Sequence, residues 1–155
     1  MGPNINMKRV LVGGIAAGII LFALDGLINA VLLADQWGQA MTAIGKPAAF
    51  GASQITGFGL LDFGMGIAMT WIYAAIRPRF GAGPRAALRA GAIVWVVGML
   101  FANAGFIVAD VLPASLLVAV TLAAIPQFAA AALAGGALYK EDGESAATKT
   151  SAARA

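Results

Sequence analysis

The sequence predicts an all-α membrane domain, a transmembrane antiparallel four-helix bundle (up-down-up-down) with a short interfacial helix between helices 1 and 2. Three observations carry this. Of the 155 residues, 61% are hydrophobic and 11% charged, whereas soluble domains carry about 25% charge. The mean hydropathy is +0.87, and four apolar stretches are each long enough for a hydrocarbon core of about 30 Å, which takes roughly 20 helical residues. Finally, the basic residues sort onto one side of the topology those stretches define.

The first span covers residues 10–34 and is interrupted by Asp25 and Asn29. A central Asp costs about 3 kcal/mol on insertion, and each Leu, Ile, Val or Phe offsets roughly 0.5. Fourteen such residues lie between Val10 and Leu33, enough for about 7 kcal/mol in favour of insertion. The span is too long and too polar at its centre for a cleaved signal peptide. Met7-Lys8-Arg9 reads as a natural start, with residues 1–6 an upstream extension.

The outer connection, residues 35–52, places Trp37, Met41 and Ile44 at near-helical spacing before a Gly45-Lys46-Pro47 turn. It is expected to form an amphipathic helix in the outer interface with Trp37 at headgroup depth, the alternative being a lid over a binding cavity. The second span covers residues 53–76. A tight basic connection follows, and Arg77, Arg79, Arg85 and Arg89 are expected to set topology and meet lipid headgroups. The third span covers residues 90–109 and the fourth residues 113–139, with Pro113 suited to the first turn of the last helix. Residues 1–139 thus form one domain, and the polar residues 140–155 are expected to be a disordered cytoplasmic tail.

Lys8, Arg9, Arg77, Arg79, Arg85, Arg89, Lys140, Lys149 and Arg154 fall on one side of this topology and only Lys46 on the other. The positive-inside rule then puts both termini in the cytoplasm. The net charge of +3 is accounted for by topology, and no basic face interleaved with aromatics points to nucleic acid.

Helices in lipid associate through close backbone approach and interhelical polar contacts. Gly14 and Gly18 supply a GxxxG step in the first span. Gly59 and Gly66 flank Asp62 in the second. Gly98 and Ala102 form a small-xxx-small step in the third, and the fourth is alanine-rich up to Gly135-Gly136. Met65, Met69 and Met99 suit core filling, while Trp71, Tyr73 and Tyr139 suit a cytoplasmic-side aromatic belt.

Ionisable residues inside spans are candidate functional groups. At 1.5 Å per residue, Asp25 lies about 15 Å below Asp35 and Asp62 about 14 Å below Ser53. Asn103 and Thr121 lie about 11–12 Å below their outer ends, in the same layer. Asn29 stands one turn from Asp25, and Gln127, beside Pro126, is deeper. The candidate intramembrane polar site is therefore Asp25, Asn29, Asp62, Asn103, Thr121 and Gln127. It fits two roles: a structural clasp, or a site that binds a proton or cation.

With no His and no Cys, the chain has no ligands for zinc, haem-histidine or iron–sulfur centres, no thiol pair and no His-based triad. Neither a metal, a cofactor nor an enzymatic activity is expected.

The string Trp71-Ile72-Tyr73-Ala74-Ala75-Ile76-Arg77-Pro78-Arg79-Phe80-Gly81-Ala82-Gly83-Pro84, with Lys8-Arg9, Gly13-Gly14 and Ala34-Asp35-Gln36-Trp37, resembles a family of uncharacterised small bacterial four-helix integral membrane proteins. The resemblance extends from Met7 to about Lys140. It implies a multi-pass protein of the bacterial inner membrane and brings no catalytic residue with it. In size and helix count the chain is also similar to the small multidrug resistance exporters, whose first helix carries a membrane-embedded Glu. Asp25 occupies that class of position, but the surrounding sequence does not match, so the likeness is architectural.

The first functional expectation is a structural or accessory membrane protein, packing through its Gly/Ala faces into a homo-oligomer or a larger membrane complex within the lipid bilayer. The alternative is a small transporter or proton/cation-coupled permeation unit that uses Asp25 and Asp62.

Overall fold

The computed structural model describes residues 5–140. Residues 1–4 of the expected extension, and the expected tail beyond Lys140, lie outside the described residues. Five helices form, and no strand is found among the described residues: α1 (Met7–Leu32), α2 (Ala34–Ala43), α3 (Ala52–Phe80), α4 (Pro84–Val108) and α5 (Ala114–Leu138). All but α2 are long and apolar enough to cross a membrane.

Local chemistry accounts for several boundaries. Asn6 caps α1 by accepting a 3.1 Å hydrogen bond from the Arg9 N–H on its side-chain oxygen, satisfying one of the orphan donors of the first turn. Pro84 occupies the first turn of α4, where its missing N–H costs nothing. Two helices change pitch within the apolar region: α1 widens to a π-helix over Gly26–Leu32 and α4 over Val96–Phe101.

The basic connection is shorter than expected. α3 continues through Pro78 to Phe80, because a proline in the last turn forfeits little of the helix ladder. Residues 81–83 alone then connect α3 to α4, with Gly81 at φ 79° and Gly83 at φ 124°, conformations that glycine adopts without a Cβ penalty.

The helices meet through small residues. Along the α1–α3 contact, Gly14 faces Ile67, Gly18 faces Phe63 and Gly59 faces Phe22. α1 touches α5 where Gly13 meets Gly135, and α5 touches α4 where Gly136 meets Ala87 and Gly91 meets Ala132. α3 adjoins α4, and α1 and α4 occupy opposite corners. Val10, Ala17, Leu21, Met69 and Phe128 fill the centre, with Met65 and Met99 packed against it.

Three expectations are corrected. Gly98 and Ala102 are exposed, Gly98 meeting only the Met65 sulfur; α4 packs through Ala86, Ala87, Ala90, Gly91 and Val94 instead. No residue of the π segment is buried, so the small-residue step at its end lies outside the buried seam between the helices. Tyr73 and Tyr139 are buried rather than belt residues. Their rings meet edge to face at 5.9 Å; the Tyr73 hydroxyl accepts from the Gly83 N–H at 3.1 Å and the Tyr139 hydroxyl from the Asn6 N–H at 3.4 Å. Arg77 is likewise buried, its guanidinium 5.8 Å from the Tyr139 ring centre, whereas Arg79, Arg85 and Arg89 are exposed and Arg89 lies 4.6 Å over Phe80. Arg77 therefore stands apart from the exposed trio expected to meet headgroups.

Candidate functional site

The site begins where α1 changes pitch. Directly after Asp25 the helix widens, and one turn later the Asn29 amide donates to the Asp25 carboxylate at 2.9 Å and to the Asp25 carbonyl oxygen at 3.2 Å. The Asn29 oxygen accepts from the Trp37 indole N–H at 2.9 Å. Asn29 is thereby engaged on both sides, and α2 is tied to the same turn of α1 that carries Asp25. Ala40 completes the seating of α2 by packing on Leu116 and Val120 of α5. A short helix stands where one was expected between the first two spans, but Trp37 bonds back to α1 and Ile44 lies beyond the helix end, exposed.

From α5, the Gln127 amide donates to the Leu21 carbonyl oxygen at 3.0 Å. It also stands close enough to Asp25 to interact with that carboxylate. Pro126, immediately before it, lacks an N–H and leaves a helix carbonyl one turn earlier without its usual donor.

From α3, Asp62 enters between Gly59 and Gly66, the two glycines that let α3 approach α1. It is 4% exposed. Its Oδ2 atom is buried without a hydrogen-bond partner, and Asp25 lies within electrostatic range. An ionised carboxylate left unpartnered in an apolar interior costs several kcal/mol, which a bound cation or proton removes.

Asn103 and Thr121 do not join this group. The Asn103 amide donates to the Thr121 hydroxyl at 2.8 Å, and that hydroxyl donates to the Leu117 carbonyl oxygen at 2.6 Å. The Trp95 indole N–H donates to the Thr121 carbonyl oxygen at 3.0 Å. This second cluster ties α4 to α5 and has the character of a clasp. Thr121 and Gln127 sit six residues apart, which places them on different faces of α5.

Of the six polar candidates, then, Asp25, Asn29, Asp62 and Gln127 converge where α1, α3 and α5 meet, and two form a separate bond. The indole N–H groups of Trp37 and Trp95 complete the clusters; the sequence marked Trp37 only as an interfacial anchor and gave no polar role to Trp95, since their partners lie on other helical segments. Among the described residues no group of three or more His, Cys, Asp or Glu is placed to hold a metal ion. Protein-family models, curated proteins and solved structures contain no match to the chain.

Proposed function

We propose that the protein is a small transporter or permeation unit that loads a proton or cation at Asp62, with Asp25 beside it. The buried, unpartnered Asp62 oxygen carries this reading. A clasp carboxylate would be bonded, as Asp25 is through Asn29. Of the glycine faces on which an accessory role would depend, the one carrying Gly14, Gly18 and Gly66 is occupied within the chain, by the contact between α1 and α3.

The setting we propose is an antiparallel, up-down-up-down bundle in the bacterial inner membrane, both termini cytoplasmic, in the family that the sequence resembles. Residue pairs that run in opposite directions along α1 and α3, from Gly14 with Ile67 to Phe22 with Gly59, support the antiparallel arrangement. The one-sided distribution of basic residues supports the orientation.

Flux into proteoliposomes carrying an internal pH or cation dye tests the function. Wild-type protein is expected to dissipate an imposed gradient and Asp62→Asn, folded by circular dichroism, to fail. Full gradient-driven flux in Asp62→Asn would remove the proposal.

The accessory reading keeps one observation of its own. A Cβ on Gly57 or Gly64 of α3 would meet nothing within 4 Å, so this small-residue side is open to a second helix. Gly64→Leu would abolish co-purification of a partner or second copy in mild detergent on that reading, and would leave it unchanged on the first.

A further inference from the structure

A cleft of about 870 Å³ opens between α2, the end of α1 and the start of α3, within the range of small-molecule sites. Its wall includes Trp37 and Phe50, whose rings meet edge to face at 5.6 Å, and Phe50 is braced in turn by Phe58 at 5.4 Å. Asp35, in the first turn of α2, is the one charged residue that lines it. No lysine or arginine lines it.

The polar groups of the wall divide by whether they are already used. Asn29 is committed to Asp25 and Trp37, and the Thr42 hydroxyl donates to the Gly38 carbonyl oxygen at 2.8 Å. The Asp35 carboxylate and the Gln39 amide remain, and Asp35 has no hydrogen bond or ion pair among the described residues. The cleft thus offers two aromatic rings, a carboxylate, a neutral amide and no cationic side chain. That set favours a cation over an anion through charge and, where a ring face is reached, through its quadrupole.

We infer that this cleft is a binding site for an organic ammonium group attached to an apolar body. The inference goes beyond the proton or cation site at Asp62 and holds whether or not that site moves ions. The ammonium could be carried by an aminophospholipid headgroup or by a free amine; both present the same chemistry to Asp35, Trp37 and Phe50.

Isothermal titration of the full chain in phosphatidylglycerol nanodiscs with benzyltrimethylammonium tests it. Saturable binding is expected, weakened about tenfold or more by Asp35→Asn, which alters an exposed residue and leaves the bundle intact. Ala43→Phe, which fills the cleft from the end of α2, is expected to abolish binding. Phosphatidylethanolamine added to the nanodiscs would compete if the headgroup is the natural source; binding unaffected by it would point to a free amine. Equal affinity in wild type, Asp35→Asn and Ala43→Phe, or no saturable binding, would overturn the inference. No ion gradient enters this measurement, so it stands or fails separately from flux through Asp62.

Discussion

Gly66 of α3 lies so close to Gly14 of α1 that a methyl carbon on it would stand 2.5 Å from the Gly14 carbonyl oxygen, and equally close to the Gly18 nitrogen. The obstructing atoms are backbone, so no rotamer change relieves the clash. Because lipid provides little hydrophobic force between helices, close backbone approach of this kind is one of the means by which α1 and α3 can associate.

Gly66→Ala is therefore expected to destabilise the bundle by about 1–3 kcal/mol through overpacking. Gly64→Ala, two residues away with nothing within 4 Å of its Cβ, is expected to be neutral or slightly stabilising. Steric-trapping or denaturant unfolding in detergent compares the two; equal effects would contradict the packing described.

Gln127 links α5 to α1 through a hydrogen bond to the Leu21 carbonyl oxygen and through its position beside Asp25. Gln127→Leu keeps the volume approximately and deletes the donor, with an expected cost of about 1 kcal/mol, as found for interhelical hydrogen bonds in membranes. The same unfolding assay reads it, and an unchanged midpoint would show the bond to be dispensable.

Asn29→Ala removes the acceptor that holds Trp37 as well as the donor that holds Asp25. The expected signature is local: amide exchange across α2 about fivefold faster, corresponding to roughly 1 kcal/mol of lost anchoring. α5 should keep its protection. Hydrogen–deuterium exchange mass spectrometry resolves the two segments, and uniform exchange would mean that Ala40 alone seats α2.

Arg77 and Arg79 are two residues apart and differ in environment, one buried against Tyr139 and the other exposed. Arg77→Ala should lower stability by about 1 kcal/mol through lost packing and cation–π contact. Arg79→Ala should leave stability unchanged, since an exposed charge contributes little. Paired thermal unfolding scans in detergent would show whether the two arginines separate in this way.

The four apolar spans, the helix after Ala34 and the inward role of Gly14, Gly18, Gly59 and Gly66 were legible in the sequence. Insertion depends on a sum over local composition, and a small-residue step marks where backbones approach whatever the partner. A shared depth for Asp25, Asp62, Asn103 and Thr121 was the sequence expectation, because rise per residue converts numbering into height, but which of them meet was not legible. The partners of Asn103, the burial of Arg77, Tyr73 and Tyr139, and the exposure of Gly98 and Ala102 were not legible either. Each depends on rotation of a helix about its axis, and apolar residues face lipid and core alike, so hydrophobic periodicity carries little information on rotation. The π segments Gly26–Leu32 and Val96–Phe101 compound this by changing the phase in mid-helix. The sequence by itself determined that the chain makes four helices long and apolar enough to cross a membrane, and which polar residues interrupt them. Only the tertiary structure decided which of those residues meet, and that Asp62 is the one left without a partner, because helix rotation is set by close packing between glycine-lined backbones.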